Sequence, residues 1–334
     1  MVDNILVSIL CTTYNQEKYI TRALDGMVSQ KTKFCFEILV HDDASTDSTP
    51  EIIKSYAERY PELIVPILQK KNQFSKGIKI TKDILIPKAR GKYIALCEGD
   101  DYWTDINKIQ VQTEIMEEHP ECSACVHRVQ GVSEDESTMI KTFPDENMET
   151  GVISAKDVMH RMLFDGEWLF HTTSYFFKRQ DAIDMSHKKY VFWEKPGYGD
   201  FSYMQMAAAK GNFYYINRIM SCYRMGANGS LVKRDSNVER RKAVNQRFIE
   251  AVQNFDIVTD GKFHDDVERA IKRYKFRLAD ADKNYSVLLS KEMKEIWCDV
   301  PIYAKIRIRV SQYFPAFDRL FYLVRSFIMD IKEK

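Results

Sequence analysis

The sequence of 334 residues lacks several features that mark particular classes of protein. It has no apolar run long enough to cross a bilayer, and it does not begin with the basic and then apolar order of a signal peptide. Its 49 basic and 48 acidic residues nearly balance, so no overall charge favours nucleic acid as a partner. We therefore expect a protein of the cytoplasm that does not bind nucleic acid.

Two further absences concern cofactors. The first β-type run is not followed by Gly-x-Gly-x-x-Gly, which disfavours a dinucleotide-dependent dehydrogenase. The seven cysteines lie mostly inside apolar runs, and Cys122 and Cys125, although spaced like zinc ligands, have no matching second pair. The pattern therefore favours reduced cysteines in the core over a disulfide framework or a structural zinc site.

The first hundred residues alternate short β-type runs with helical patterns. The β-type runs occupy residues 7–11, 36–40, 63–68 and 92–97, and the helical patterns occupy residues 20–28 and 49–60. Strands that alternate with helices are typical of a mostly parallel sheet covered by helices. The sequence therefore predicts an α/β fold.

Beyond residue 105 the pattern is less regular. Helices are expected at residues 109–118, 155–164 and 200–211, and strands at residues 213–216 and 219–223. The charged segment at residues 133–150 is expected to be a surface loop. From residue 227 onward the pattern is charged and helical, so we place a domain boundary near residue 226.

Polar segments follow three of the predicted strands, which is where α/β sheets bind ligands. One of them contains Asp42 and Asp43, followed by Ser45, Thr46 and Asp47. A carboxylate at this place accepts hydrogen bonds from a nucleobase N–H or a ribose hydroxyl. Asp, Ser and Thr are equally typical of a turn that caps a helix, so this segment has two interpretations.

A second polar segment, Glu98-Gly99-Asp100-Asp101, places three carboxylates in four residues, with Gly99 allowing a tight turn. Mutual repulsion of the carboxylates costs stability unless a cation is present. Mg²⁺ and Mn²⁺ bind to one or two carboxylates together with the phosphates of a substrate, so a metal and diphosphate site is one interpretation. A solvated acidic loop is the other.

The order of these motifs resembles a known family. Thr-Thr-Tyr-Asn, Asp-Asp-Ala-Ser-Thr-Asp and Ala-Arg-Gly-Lys-Tyr-Ile precede Glu-Gly-Asp-Asp-Tyr-Trp, as in family 2 inverting glycosyltransferases of the bacterial surface-polysaccharide type. The similarity is clear over residues 4–110 and looser over residues 150–225. It implies the GT-A fold, a Rossmann-like α/β fold with helices on both faces of the sheet, followed by a mainly helical region at residues 227–334.

The resemblance also implies a division of labour and a set of site residues. Residues 1–105 would bind the nucleotide-sugar, most simply a UDP-sugar, and residues 106–226 the acceptor. The residues that it places at the nucleotide-sugar are Thr12, Tyr14, Asp42, Asp43, Glu98, Asp100 and Asp101. Asp100 matches the last acidic residue of the family's metal motif and is our predicted ligand of Mn²⁺ or Mg²⁺. Glu98 stands where the family has Asp, so its metal contact is left open.

An inverting transfer needs one base that takes a proton from the acceptor hydroxyl. The resemblance places this base near the start of a helix downstream of the metal motif, where Asp200 follows a glycine-rich stretch. Asp200 is therefore our predicted base, with Glu194 as the reserve. An Asp at the start of a helix is also a good N-cap, which is the structural alternative.

Other polar and aromatic residues allow two interpretations each. His171 either hydrogen-bonds a sugar or is structural, and Trp103 and Trp168 either stack on a sugar ring or belong to the core. Arg224 and Lys233 flank a loop at residues 226–230, which either closes over the diphosphate or is a simple surface turn.

Residues 300–334 interleave basic with apolar side chains, as in a helix that lies on an anionic membrane surface. Packing on the catalytic domain or against a second subunit in a homodimer is the alternative. Membrane contact would place the protein at the inner face of the cell membrane, with a lipid-linked saccharide as acceptor in place of a free one. The alternative function is a non-catalytic module that binds a nucleotide-sugar or glycan within a polysaccharide assembly complex.

Overall fold

The computed structural model describes residues 5–196, 199–226, 238–317 and 321. Its strands are β1 (Ile5–Thr13), β2 (Cys35–Asp42), β3 (Ile64–Leu68), β4 (Tyr93–Leu96), β5 (Tyr102–Trp103), β6 (Cys122–Val132), β7 (Met139–Phe143), β8 (Gly151–Ile153), β9 (Phe176–Lys178) and β10 (Asn212–Arg224). They form one sheet in which β3-β2-β1-β4-β9-β6-β10-β5 are successive neighbours, with β7 beside β6 and β8 beside β10.

The described α-helices are α1 (Ile20–Val28), α2 (Thr49–Arg59), α3 (Ile86–Lys88), α4 (Lys108–Glu118), α5 (Ala155–Met159), α6 (Arg179–Lys188), α7 (Val191–Glu194), α8 (Gly199–Lys210), α9 (Val238–Val258), α10 (His264–Ala281), α11 (Tyr285–Leu288) and α12 (Ile302–Ser311). Two π-helical segments occupy Ile80–Leu85 and His160–Asp165, and short 3-10 turns occupy Phe74–Lys76, Thr172–Ser174, Lys291–Met293 and Ile296–Cys298. None of the described helices is both long and apolar enough to cross a membrane.

The strands predicted from the first hundred residues form the parallel half of the sheet. β1 pairs in parallel with β2 and β4, and β2 pairs in parallel with β3. Both faces of β1, β2 and β4 are covered, which explains their continuous apolar runs. The parallel order brings the carboxyl ends of β1, β2 and β4 to the same edge. The α/β fold is therefore confirmed.

The second half of the sheet is mixed, and here two expectations were wrong. The surface loop expected at residues 133–150 contains β7, which pairs antiparallel with β6. Met139 and Ile140 of β7 are exposed, so the segment lacks the apolar face by which a strand is recognised. The two strands expected at residues 213–216 and 219–223 are one strand, β10, with an irregular register between Ile216 and Ile219.

The helices pack on both faces of the sheet. α1, α2 and α4 cover one face, and α5, α6, α8, α9 and α10 contribute to the larger core on the other. In that core Phe248 of α9 stacks on Tyr274 of α10 at 4.0 Å between ring centroids and contacts Phe201 of α8 at 5.0 Å. The helices beyond the expected boundary near residue 226 thus share a core with the sheet, and the boundary stays a prediction.

Candidate active site

The acidic turn at residues 98–101 lies between the ends of β1 and β10. On one side the Gly99 N–H donates a hydrogen bond to the carbonyl oxygen of Thr12, at 3.0 Å. On the other side the Arg224 N–H donates to Oδ1 of Asp101, also at 3.0 Å. Backbone groups of two different strands therefore fix the turn in place.

Gly99 is needed because the chain passes very close to its neighbours. A Cβ atom at this position would lie 2.4 Å from Oε1 of Gln16 and 2.9 Å from Cβ of Thr13. Neither separation is compatible with van der Waals contact. Close packing against the end of β1 is thus the physical reason for this glycine, in addition to the tight turn that the sequence suggested.

Three side chains of the described chain bring metal-binding atoms together at this turn. One ligand atom each of Glu98, Asp101 and His171 lies within 4.8 Å of the others. Asp101 is only 1% exposed, and its Oδ2 has no hydrogen-bond partner. This oxygen lies 3.7 Å from Nδ1 of His171, which accepts a hydrogen bond from the Thr173 N–H at 3.4 Å. Asp101 therefore has a buried acceptor oxygen without a donor, an arrangement that a cation would stabilise.

The ionisation of these groups reflects their burial. Burial, followed by the charge of Asp100, raises the pKa of Glu98 to about 8, and burial raises the pKa of Asp101 well above its usual range. Burial also lowers the pKa of His171 to about 3, so its ring is neutral and able to act as a ligand. The cluster thus holds carboxylates whose ionisation is unfavourable until a positive charge is present.

Asp100, the predicted metal ligand, does not belong to this close group of three. Its carboxyl is half-buried, and burial raises its pKa although Arg224 and a hydrogen bond from Gln16 oppose the rise. Its carbonyl oxygen accepts a hydrogen bond from Nε of Arg224 at 3.0 Å. Its assignment as the metal ligand stays a prediction, and the structure adds His171 as a residue to consider.

Arg224 is buried and holds the acidic turn in place. Besides its bonds to residues 100 and 101, its Nη1 donates to the Glu134 carbonyl at 2.9 Å and to Oε1 of Glu136 at 2.6 Å. The guanidinium thus links the acidic turn to the β6–β7 connection. With its side chain 3% exposed, Arg224 holds protein groups in place, and the sequence interpretation in which it binds phosphate from a mobile loop does not describe it.

The paired carboxylates at the end of β2 have partners within the protein. Oδ1 of Asp43 accepts the Gln73 N–H at 2.7 Å, and Oδ2 accepts the Phe74 N–H at 3.0 Å. Asp42 accepts hydrogen bonds from the backbone N–H and the hydroxyl of Ser45. Both side chains are buried. Both carboxylates thus bond to turns of the chain, but neither caps α2, whose N-cap is Ser48. Their role at a nucleotide stays a prediction.

Thr12 and Tyr14 lie at the same edge of the sheet. Thr12 is half-buried near the end of β1, opposite His41 of β2, while Tyr14 follows β1 with 38% of its surface exposed. The parallel strands thus bring Thr12, Asp42 and the acidic turn to one edge, as their positions in the sequence predicted.

Asp200 is the second residue of α8 and is half-buried. Its Oδ1 accepts the Phe201 N–H at 3.2 Å, and burial raises its pKa to about 6. Its charge in turn raises the pKa of Glu98, so the two carboxyls lie near each other. The reserve residue Glu194 is held by Nζ of Lys79 at 2.7 Å. Asp200 is thus the freer of the two.

The remaining sequence candidates lie in different surroundings. Trp103 is buried and donates its ring N–H to Thr173 at 3.2 Å, so it belongs to the core and does not offer a face to a sugar. Trp168 is 37% exposed. Lys233, residues 227–230 and residues 318–320 and 322–334 of the tail lie outside the described residues.

Sequence reasoning did not single out Lys82, whose ammonium group lies near Asp200. Burial lowers the pKa of Lys82 to about 7, and Asp200 is among the charges that act on it. The sequence offered no clear signal, because residues 78–86 mix apolar side chains with Lys79, Thr81 and Asp83, among which Lys82 is not distinguished.

Comparison with solved structures confirms the GT-A fold. S. aureus TarS 1–349 in complex with UDP-GlcNAc superimposes with a TM-score of 0.61 at 15% identity, over 88% of this chain and 79% of that one. A mannosyltransferase from Pyrobaculum calidifontis in complex with GDP-Man and Mn²⁺ superimposes with a TM-score of 0.53 at 15% identity, over 95% and 86% of the two chains.

Sequence comparison gives the family. An Escherichia coli relative named UDP-Glc:alpha-D-GlcNAc-diphosphoundecaprenol beta-1,3-glucosyltransferase WfaP is 35% identical over 112 residues, which are 34% of this chain and 41% of that protein. The match spans 36% of the length of the Mycobacterium relatives and 41% of that of the E. coli relative. The model of glycosyl transferase family 2 matches residues 8–184, more than half of the chain. The chain therefore belongs to glycosyl transferase family 2.

Proposed function

We propose that the protein is an inverting, metal-dependent transferase that moves a sugar from a UDP-sugar to a hydroxyl of a saccharide acceptor. The observation that carries this proposal is the buried, unpartnered Oδ2 of Asp101 in its group with Glu98 and His171, near the carboxyl of Asp200. A cation site beside a half-buried carboxyl supplies the two chemical functions that an inverting transfer needs.

The choice of UDP rests on the relatives. The name of the E. coli relative includes UDP-Glc, and the TarS structure contains UDP-GlcNAc. The P. calidifontis enzyme contains GDP-Man, so GDP is the competing nucleotide. We propose that Thr12, Tyr14 and Asp43 contact the base or ribose, with Asp42 supporting them, because all lie at the edge of the sheet where the acidic turn begins.

The residues at the turn fit a divalent cation. Glu98 and Asp101 offer hard carboxylate oxygens, neutral His171 offers a ring nitrogen, and Asp100 is close enough to raise the pKa of Glu98. A bound Mn²⁺ or Mg²⁺ would stabilise the negative charge that develops on the leaving diphosphate. Arg224 fixes the turn through Asp101, so the ligands are held in position before the ion binds.

Asp200 is the proposed base. As the acceptor oxygen forms its bond to the anomeric carbon, the proton of the hydroxyl passes to the Asp200 carboxylate and the bond to UDP breaks on the opposite side. With a pKa raised by burial to about 6, Asp200 is ionised near neutral pH and is a stronger base than an exposed carboxylate.

We propose a lipid-linked saccharide as the acceptor, and contact of the protein with the inner face of the cell membrane. The named acceptor of the E. coli relative is a diphosphoundecaprenol-linked sugar. On α12, Ile302, Tyr303 and Ile306 are exposed with Lys305 and Arg309 on the same short helix. Apolar side chains among basic ones suit the surface of an anionic membrane.

The test uses the full chain with Mn²⁺, UDP-Glc, UDP-GlcNAc, UDP-Gal and GDP-Man, and a synthetic GlcNAc-diphospholipid as acceptor. We expect acceptor-dependent release of UDP and, by NMR, a product of inverted anomeric configuration. Asp200→Asn should lower the rate by at least about 100-fold, since it removes the base, and should still bind Mn²⁺.

Several outcomes would contradict the proposal. A product of retained configuration would exclude the single-base mechanism, and full activity of Asp200→Asn would exclude Asp200 alone. If calorimetry shows that UDP binds with Mn²⁺ but no donor is turned over with any acceptor tested, the chain is a binding module. Release of GDP in preference to UDP would correct the donor.

A further inference from the structure

Lys82 has an unusual environment for a lysine. It lies in the π-helical segment Ile80–Leu85 and is only 6% exposed. Its Nζ donates to the carbonyl oxygen of Trp193 at 2.7 Å and to the hydroxyl of Ser202 at 2.6 Å, and lies 4.0 Å from the centre of the Trp193 ring. In the described part of the chain no carboxylate is within ion-pairing distance of it.

The partners of Lys82 hold the helix that carries Asp200. Trp193 belongs to α7, and Ser202 lies in the first turn of α8, two residues after Asp200. The Ser202 hydroxyl donates to the carbonyl oxygen of Gly199 at 2.5 Å, so Lys82, Ser202 and the start of α8 form one chain of hydrogen bonds. Movement of Lys82 would therefore displace the turn on which Asp200 lies.

Of the acidic groups around Lys82, Asp200 is the one that is not already bonded to Lys79. The groups whose charges act on it are Lys79, Asp83, Glu194 and Asp200. Glu194 is paired with Nζ of Lys79, and Asp83 accepts the Lys79 N–H at 2.8 Å. Among the described residues, Asp200 has no cation within ion-pairing distance, and the charge of Lys82 lowers its pKa against the effect of burial.

Asp200 also faces groups on other elements. Its charge raises the pKa values of Glu98 after β4, Tyr175 before β9 and Tyr203 on α8. These neighbours are acidic or neutral near pH 7. Among the described residues, Lys82 is thus the cation whose charge favours the ionised form of the Asp200 carboxyl.

We propose that Lys82 is a positioning residue for Asp200, which holds the first turn of α8 in place and favours the ionised form of its carboxyl. A buried ammonium is costly, and an apolar side chain of similar size would fill the space at lower cost. The inference rests on the proposed role of Asp200 as base.

The first experiment does not depend on turnover. The carboxyl carbons of Asp are labelled with ¹³C, and the Asp200 signal is assigned from its loss in Asp200→Asn. We expect a pKa near 6 in the wild type, and in Lys82→Met a pKa about one unit higher, because a nearby opposite charge has been removed. An unchanged Asp200 titration in folded Lys82→Met would overturn the inference.

Lys108→Met is the matched control. Lys108 is also fully buried and also lies 4.0 Å from a tryptophan ring, that of Trp103, with Gln112 as its hydrogen-bond partner. It shares the cost of a buried ammonium but is bound to neither α7 nor α8. The titration of Asp200 should be the same in this variant as in the wild type. An equal shift in both variants would show a general effect of core substitution and overturn the inference.

A second measurement covers the case in which Lys82→Met does not fold. Coupling between two ionisable groups is reciprocal, so Asp200→Asn must lower the pKa of Lys82 by the amount that Lys82 lowers the pKa of Asp200. ¹³C-labelled lysine reports this pKa at Cε. A Lys82 titration that is identical in wild type and Asp200→Asn would exclude the coupling.

Activity then separates the inference from the proposed function. In an active enzyme, the acid limb of kcat/KM should move upward in Lys82→Met by the shift seen by NMR, with KM for the donor little changed. Absence of turnover in the wild type together with the expected NMR shifts would reject the proposed function and retain the pairing of Lys82 with Asp200. Turnover with an unmoved acid limb and an unshifted Asp200 titration in Lys82→Met would do the reverse.

Discussion

Two acidic segments lie at the ends of β2 and β4, the strands on either side of β1, yet their surroundings are opposite. At the end of β2, both oxygens of the Asp43 side chain accept backbone N–H groups from residues 73 and 74. After β4, Asp101 is equally buried, but one of its oxygens has no partner and faces a ring nitrogen of His171. The protein supplies hydrogen-bond donors to both oxygens of the Asp43 carboxylate but to only one oxygen of the Asp101 carboxylate.

The difference separates a carboxylate whose two oxygens order a loop from a carboxylate with one oxygen left unpartnered. A buried carboxylate with two backbone donors is stabilised in its ionised form and orders the loop that supplies them. A buried carboxylate beside Glu98 and Asp100 is destabilised when ionised, and either a proton or an added cation relieves it. Groups held in such an unfavourable state are typical of functional sites.

The largest expected effect that sharpens this comparison is loss of metal binding in Asp101→Asn. The change removes a charged ligand from the group. Substitution of residues that only orient metal ligands costs up to about 100-fold in metal affinity, so we expect loss of a direct ligand to cost more. Calorimetry or EPR with Mn²⁺ measures it. The metal-free variant should be at least as stable as the wild type in urea, since the amide keeps an oxygen for the Arg224 N–H and has no buried group to ionise.

Two results would contradict this contrast between Asp101 and Asp43. Wild-type affinity for Mn²⁺ in Asp101→Asn would mean that the unpartnered oxygen is not a ligand. A marked loss of stability in the metal-free variant would mean that the Asp101 carboxylate stabilises the fold, as Asp43 does. Asp100→Asn, measured beside it, shows whether the residue matched to the family motif or the close group of three holds the ion.

A second effect is a pH dependence of metal binding. Because burial and Asp100 raise the pKa of Glu98 to about 8, the ion must displace a proton below that pH. We expect the affinity for Mn²⁺ to fall roughly tenfold per pH unit between pH 8 and pH 6 for each proton displaced. Calorimetry in buffers of different ionisation enthalpy counts these protons.

Glu98 should also make the stability of the metal-free protein depend on pH, in the direction that follows from its raised pKa. The folded state binds the Glu98 proton more tightly than the unfolded state, where the pKa is near 4.5. Stability should therefore fall as pH rises from about 5 to 8. Glu98→Gln should flatten both curves, and pH-independent Mn²⁺ binding in the wild type would contradict the prediction.

The fold could be predicted from the sequence where strands were apolar on both faces. The runs at residues 7–11, 36–40 and 92–97 lie within β1, β2 and around β4 of the parallel half, because burial on both faces leaves a clear signal. β7 was not predicted because Met139 and Ile140 remain exposed at one edge. Its pairing with β6 depends on tertiary contacts that a local pattern does not contain.

The site could be predicted as a region but not as a set of contacts. Strand ends and acidic residues located the turn at residues 98–101. Spacing alone did not distinguish Asp43, both of whose oxygens accept backbone N–H groups, from Asp101, one of whose oxygens lacks a partner. His171 and Lys82 reach the site from distant segments, so only the assembled structure brings them to the carboxylates.

A third prediction tests the other side of the comparison. Asp43→Asn should destabilise the fold by about 1–3 kcal/mol, because the amide nitrogen replaces an acceptor and leaves the backbone N–H of residue 73 or 74 without its hydrogen bond to a charged group. Urea unfolding of the metal-free protein measures this. Affinity for Mn²⁺ should be unchanged. An Asp43→Asn variant as stable as the wild type would show that these hydrogen bonds contribute little.

The smallest expected effect belongs to Asp42→Asn. Asp42 accepts two hydrogen bonds, but both come from Ser45, and the amide retains one oxygen that can accept the backbone N–H while its nitrogen donates to the hydroxyl. We expect a loss of about 0.5–1.5 kcal/mol by urea unfolding, less than for Asp43→Asn. A larger loss than for Asp43→Asn would mean that the charge of Asp42, and not its hydrogen bonds, stabilises this turn.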